Sequence, residues 1–182
     1  VINVNLNEQG FVKNLVLADH SVVEGDFFID CSGFNQVIMK HLPSKWVSFK
    51  ENLPLNTGMP FHLKYKEGEI PEPYTTAWAQ KAGWMWQIPL LDRKGCGYVY
   101  DDNFTTPEKA QEEIETILGQ EIDPIRIIKF DSGRQESAWI KNCVTIGLSS
   151  AFVEPLEATS IHSTIVQANN LFLEYIKPTF DE

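Results

Sequence analysis

Basic side chains are scarce in this chain. Its 15 Lys and Arg stand against 25 Asp and Glu, for a net charge of −10. A nucleic-acid partner needs a clustered basic face, so none is expected. Cysteine is scarce too. Cys31, Cys96 and Cys143 lie far apart with no C-x-x-C pair, which points away from a disulfide framework and toward buried structural thiols in a reduced, cytoplasmic setting. His20, His41 and His62 are scattered with no metal-ligand spacing, so no metal is expected. No apolar run approaches the roughly 20 residues that span a bilayer, and no basic-then-apolar segment opens the chain, so no membrane partner is expected. There is no P-loop and no nucleophile elbow. There is also no G-x-G-x-x-G, because Gly95 and Gly97 sit in a hairpin pattern with no third Gly and no following helix. An initiator Met is missing as well. VINVNLNEQG opens inside a strand pattern, and the chain is expected to be the later part of something longer.

What is present suits a folded domain with a real core, or two small lobes, in 182 residues that are 43 % hydrophobic. Residues 1–6 alternate with period two and pair with residues 11–17 as a hairpin. Residues 21–25 read as a turn. DFFIDCSGF (26–34) reads as an apolar strand buried on both faces, and 35–42 as a short helix ended by Pro43. Strands are expected at 60–65, 75–86, 88–91 and 97–100, with a turn at Asp92-Arg93-Lys94-Gly95. Thr106, Pro107 and Gly119 frame a helix over 106–118. Strands follow at 124–130 and 143–148, with a turn at Ser132-Gly133-Arg134 between them. The last helix spans about 158–176, with Ile161, Ile165, Ala168, Leu171, Phe172 and Tyr175 as its apolar stripe and Pro178 as its stop.

Two stretches carry chemistry. In AFVEPLEATSIHSTIVQ (151–167), Glu154 and Glu157 flank a turn, and Thr159 and Ser160 stand where a helix leaves backbone N–H groups unpaired, a natural anion site. Taken alone, Glu157 is most simply an acid complementing the helix dipole. In WMWQIP (84–89), Trp84 and Trp86 share one strand face. They serve core packing or form a ligand wall, and composition alone favours packing.

Four strings together resemble the flavin-dependent halogenases of the tryptophan halogenase family. WMWQIP is similar to the family's W-x-W-x-I-P signature, carried by Trp84, Trp86, Ile88 and Pro89. PYTTAWAQKAGWMWQIPLLDRKGCGYVY resembles its substrate-side sheet. DFFIDCSGF resembles the strand ending its flavin-domain hairpin. FDSGRQESAWIKNCVTIGLSSAFVEPLEATSIH resembles its run from Phe-x-x-Gly-Arg to the flavin-proximal helix. The resemblance implies that reduced FAD and oxygen convert a halide to hypohalous acid, which halogenates an electron-rich aromatic such as tryptophan or indole. It implies a flavin reductase and a small aromatic substrate as partners. Glu157 matches the active-site Glu. Thr159 and Ser160 match the halide-binding positions. Gly147, Leu148, Ser149 and Ala151 belong to the flavin-contacting loop. The family often has Ser where Ala158 stands and Gly where Ser160 stands. Its catalytic Lys lies in an amino-terminal part with no counterpart here.

The implied fold is α+β: a mixed, largely antiparallel sheet with a long helix packed on it, within a flavin monooxygenase-like, Rossmann-like FAD-binding fold. Residues 1–57 would end the FAD-binding module. Residues 58–130 would form the substrate-side sheet with one helix, and 131–182 the flavin loop and halide-site helix. By itself the chain is expected to be inactive, and its open apolar surface to make it a homo-oligomer through an edge strand or the last helix. A non-catalytic scaffold or association module is the alternative. Arg134 is expected to orient a carboxylate or phosphate or to form a surface ion pair, and His162 to be a packing residue.

Overall fold

The computed structural model describes residues 1–177, and of Glu157 the backbone alone; the expected stop at Pro178 lies outside the described residues. By contacts the chain forms two units, one from Val1–Phe49 with Ser132 onward, the other from Lys50–Asp131.

The first unit starts with a meander. Strands β1 (Asn3–Leu6), β2 (Val12–Val16) and β3 (Val22–Glu24) pair antiparallel in that order. The expected turn at 21–25 is strand β3. The reversal comes earlier, where His20 takes a positive φ of 65° and the Asp19 carboxylate accepts from the Ser21 amide at 3.0 Å. Strand β4 (Phe28–Asp30) is buried at Phe28 and Asp30 but open at Ile29, so it is covered on one face and not on both. The short helix expected at 35–42 is two separate 3-10 turns, Gly33–Asn35 and Met39–His41. Strand β5 (Trp46–Ser48) follows.

After residue 131 the chain returns to this unit. The expected turn at Ser132-Gly133-Arg134 is instead strand β11 (Gly133–Gln135), between β5 and β14 (Ala151–Phe152). Gly133 is there for closeness rather than for turning. A Cβ on it would stand 2.4 Å from Trp46 Nε1 and 2.5 Å from the Val47 carbonyl. Strands β12 (Trp139–Ile140) and β13 (Cys143–Thr145) form a hairpin, and β13 runs parallel to β4. The Asn142 side chain ties this hairpin to β2: it accepts from the Val12 amide and donates to the Val12 carbonyl, each at 2.9 Å. Val4, Val12, Phe28, Ile38, Met39, Leu42 and Cys143 fill the core.

The second unit is a five-stranded antiparallel sheet, ordered β10 (Ile128–Lys129), β6 (Thr57–Lys64), β9 (Arg93–Tyr100), β8 (Gly83–Pro89) and β7 (Thr76–Gln80). Helix α1 (Pro107–Leu118) matches its sequence signals. The Thr106 side chain accepts from the Lys109 amide, Pro107 opens the first turn, and Gly119 closes the helix at φ 66°. Ala110 and Ile114 join Met59, Phe61, Met85, Cys96, Tyr98 and Tyr100 in the core. The β8–β9 reversal falls at Leu90–Asp92 rather than Asp92–Gly95, with the Leu90 amide donating to the Arg93 carbonyl at 2.9 Å. Gly95 and Gly97 are therefore strand residues.

Candidate functional site

The acidic stretch leaves β14, crosses Pro155, and makes a 3-10 turn at Leu156–Ala158 before helix α2 (Thr159–Leu171), which continues as a π segment over Phe172–Ile176. The junction is sharp. Ala158 adopts the left-handed conformation (φ 53°, ψ 29°), which a residue with a Cβ rarely takes and which concentrates at functional turns. Glu157 lies just before it.

The amides here are partly engaged. The Ala158 N–H donates to the Pro155 carbonyl at 3.2 Å, and the Thr159 N–H donates to the Leu156 carbonyl, which also accepts the Thr159 hydroxyl at 2.9 Å. The Ser160 carbonyl accepts from the Thr164 hydroxyl at 2.7 Å and from the Ser163 hydroxyl at 3.1 Å. The Ser160 hydroxyl is buried and has no hydrogen-bond partner among the described residues. A buried, unpaired donor beside the positive end of a helix fits an anion.

The loop before this junction is held from several sides. Gly147 has φ 71°, and a Cβ there would come within 3.3 Å of Thr164 Oγ1. Its N–H donates to Gln167 Oε1 at 2.8 Å, tying the loop to α2. Ser149 is fully buried; its hydroxyl donates to the carbonyls of Asp30 and Ile146, and its own carbonyl accepts from Gln135 Nε2 at 3.3 Å. Gly147, Leu148 and Ala151 are half-buried.

Asp30, Gln135, Thr164 and Gln167 thus hold the candidate loop, and none stands out in the sequence as a site residue. Asp30 is the most strongly built of them. One carboxylate oxygen accepts from the Ser32 amide and hydroxyl, the other from the Ile38 and Met39 amides at 2.8 and 2.9 Å. Burial works to raise its pKa, but these donors outweigh burial and hold it below the usual carboxylate value. The D-C-S-G string was its one available signal, an Asp two residues before a Ser in a turn.

Other expectations resolve differently. Arg134 donates to the main-chain carbonyls of Gln135 and Glu136 at 2.8 and 3.2 Å. His162 is exposed and does not pack. Of the α2 stripe only Leu171 is buried, with Val144 and Ile146. Ile161, Ile165, Phe172 and Tyr175 are exposed. Among the described residues no cluster of three His, Cys, Asp or Glu could hold a metal, and no helix is long and apolar enough to cross a membrane.

In the second unit, β8 turns Met85 into the core and Trp84, Trp86 and Ile88 to the opposite face. The packing that composition favours for the two Trp therefore belongs to Met85. The indoles are half-buried, with centroids 6.0 Å apart at 58°. Trp86 lies over Gly97, its cross-strand neighbour. A Cβ at Gly97 would stand 2.1 Å from the indole, so the Gly makes the floor that the ring rests on.

The family model for tryptophan halogenase matches residues 1–179. The tryptophan 6-halogenase SttH of Streptomyces toxytricini is 40 % identical over 166 residues, covering 88 % of this chain and 32 % of that protein. The tryptophan 6-halogenase ThaL of Streptomyces albogriseolus is 36 % identical, covering 97 % and 34 %. Among solved structures, BrvH, a flavin-dependent halogenase from Brevundimonas sp. BAL3, superposes with a TM-score of 0.88 at 38 % identity, covering 94 % of this chain and 35 % of that one. The SttH crystal structure gives 0.90 at 36 % identity, covering 96 % and 35 %. The chain spans about a third of the length of the curated relatives it matches. The mixed α/β architecture with antiparallel sheets is that of the halogenase structures, and the chain belongs to the tryptophan halogenase family of flavin-dependent enzymes.

Proposed function

We propose that this chain is the part of a flavin-dependent halogenase that carries the halide site and the catalytic acid, acting on an electron-rich aromatic such as tryptophan or indole. The observation that carries the reading is the match to the tryptophan halogenase family over residues 1–179. The sharp junction at Ala158, with an orphaned Ser160 hydroxyl just beyond it, supports a site there.

In this reading a halide rests at the start of α2. The helix dipole and the Ser160 hydroxyl favour negative charge, and the main chain at Thr159 and Ser160 closes around it. The left-handed Gly147 lets main chain approach a planar ring, so Gly147, Leu148 and Ala151 would hold the flavin, with Ser149 locking the loop from inside. The bound reduced FAD supplies, with oxygen, the two-electron oxidation of halide. Glu157 hydrogen-bonds the halogenating species and takes the proton released when the ring is substituted. The long helix, α2 with its π extension, is the element that positions both. Trp84 and Trp86 form a rigid wall with no proton to give or take, which can shape a channel without reacting as an acid or base. Residues 1–57, 58–130 and 131–182 are assigned as the end of a Rossmann-like FAD module, the substrate-side sheet, and the flavin loop with the halide helix. A flavin reductase would supply the cofactor, and the cytoplasm suits the free thiols.

An exchange experiment tests this. The matching third of SttH is replaced by residues 1–182, and tryptophan and indole are supplied with reduced FAD, oxygen and bromide. The hybrid is expected to purify yellow and to yield product one bromine heavier by mass spectrometry. The 182-residue chain by itself is expected to bind reduced FAD weakly and to leave indole unchanged. A folded, FAD-loaded hybrid that gives no halogenated product would overturn the reading. An active isolated chain would overturn the claim that it is only a part.

A further inference from the structure

A cavity of about 330 Å³ opens in the second unit, where three strands of its sheet begin or end. Asn56 lies just before β6, Asp101 just after β9 and Phe130 just after β10, and all three line it. Leu53 and Leu55 add apolar surface. The Phe130 amide donates to the Asn56 carbonyl at 2.9 Å, and the Asn56 amide donates to the Tyr100 carbonyl at 3.2 Å, so the lining is built on the sheet. None of the residues assigned to the halide, the flavin or the catalytic acid lines this cavity.

Two neighbouring acids are satisfied differently here. Asp102 has a cation: Lys129 Nζ lies 2.6 Å from its Oδ2, and Asn56 Nδ2 donates to its Oδ1 at 2.6 Å. Asp101 is only 5 % exposed, and no basic side chain pairs with it among the described residues. Its Oδ1 accepts from the Asn103 amide at 2.9 Å and from Asn103 Nδ2 at 2.7 Å. Its Oδ2 has no hydrogen-bond partner among the described residues. An Asx turn needs only the first oxygen. A buried carboxylate without a counter-charge is unfavourable, and this one lines the cavity. Asn103 lines it too. Its NH2 group is engaged by Asp101, and its carbonyl oxygen is left to accept. Lys50 and Asp131, also in the lining, carry opposite charges, so Asp101 makes the lining net negative.

We propose that this cavity binds a small organic amine in its ammonium form. The ammonium sits on Asp101 Oδ2 and the Asn103 carbonyl oxygen, and the apolar body rests against Leu53, Leu55 and Phe130. An ammonium group offers donors and no acceptor, which suits a buried carboxylate beside an amide oxygen. The volume is at the small end of the roughly 300–1,000 Å³ of small-molecule pockets, so the ligand has the size of an aralkylamine. The Phe130 ring favours an aromatic body. A calcium ion would want about six or more oxygen ligands, and no cluster of three His, Cys, Asp or Glu that could hold a metal is present among the described residues.

Calorimetric titration of the 182-residue chain with phenethylamine at neutral pH tests the assignment. One saturable site is expected. Phenethyl alcohol and phenylacetate keep the ring but lack the positive charge, and each is expected to bind at least about tenfold more weakly. Asp101→Asn keeps an acceptor for Asn103 but removes the negative charge, and is expected to weaken amine binding at least about tenfold. If that variant loses the far-ultraviolet dichroism of the parent, Leu53→Trp replaces it. It fills the cavity from the apolar side with Asp101 in place, and is expected to block the amine. Potassium chloride at the concentration of the amine is expected not to displace it. No saturable binding, equal binding of the alcohol, amine binding that survives the folded variant, or displacement by potassium would overturn the proposal.

Discussion

Changing Glu157 to Gln in the SttH hybrid is expected to lower halogenation by about 10²–10⁴-fold, the usual worth of a positioned general acid or base. Gln keeps the length of the side chain and one acceptor oxygen but cannot take a proton. The loss should therefore fall on kcat, with flavin absorbance and substrate KM little changed. Position matters as much as chemistry. Glu157 sits in the 3-10 turn one residue before the left-handed Ala158, so the backbone fixes where its side chain starts. Glu154, on the far side of Pro155, is the comparison: Glu154→Gln is expected to stay within a few-fold of the parent. Equal losses at both positions would mean that general negative charge, not Glu157, serves the reaction. Unchanged turnover in Glu157→Gln would remove it from the mechanism.

The largest effect on stability is expected at Asp30. Its carboxylate holds four donors and stands only 2 % exposed, between β4 and the turn at Met39–His41, while its carbonyl receives the Ser149 hydroxyl. Asp30→Ala would leave the Ser32, Ile38 and Met39 amides without their acceptor, at a cost of about 3 kcal/mol or more in urea unfolding. Asp30→Asn, with one acceptor oxygen left, should recover part of it. The pH dependence has a definite sign. The folded-state pKa is depressed, so the stabilisation is present above the ordinary carboxylate value of about 4 and is lost as pH falls through the folded pKa. The Ala variant should lack this part of the acid sensitivity. Because the Asp30 carbonyl helps hold the 147–149 loop, the variant should also weaken flavin retention in the hybrid. An Ala variant as stable as the parent would show that the cluster contributes nothing net.

Helix α1 is legible in the sequence because its start, first turn and end each have a residue whose chemistry permits little else: Thr106, Pro107 and Gly119. The hairpins are legible as pairs, but their turns are not. Glycine normally marks a reversal, yet Gly95 and Gly97 lie in mid-strand, and at Gly97 Trp86 needs a floor without a side chain. Gly133 misleads in the same way, because Trp46 and Val47 press on it from a strand distant in sequence. Strand β4 looks like a strand buried on both faces because its residues are apolar, but burial depends on what covers each face, and local composition does not carry that. The Trp pair shows the limit again. Period two correctly places both indoles on one face, but the core lies on the other, behind Met85. At the proposed site, Glu157, Thr159 and Ser160 are singled out by the family resemblance and the logic of a helix start. The left-handed Ala158 is not, since alanine is a poor predictor of that conformation. Nor are Gln135, Thr164 and Gln167, whose roles arise from contacts across β11, the loop and α2.

The most direct test of a halide site at the start of α2 is a bromide soak of hybrid crystals, read by anomalous scattering at the bromine edge. A peak is expected against the main chain of Thr159 and Ser160 and the Ser160 hydroxyl, and Ser160→Pro is expected to abolish it. Ordered bromide elsewhere in the hybrid, with the start of α2 bare at saturating bromide, would contradict the assignment.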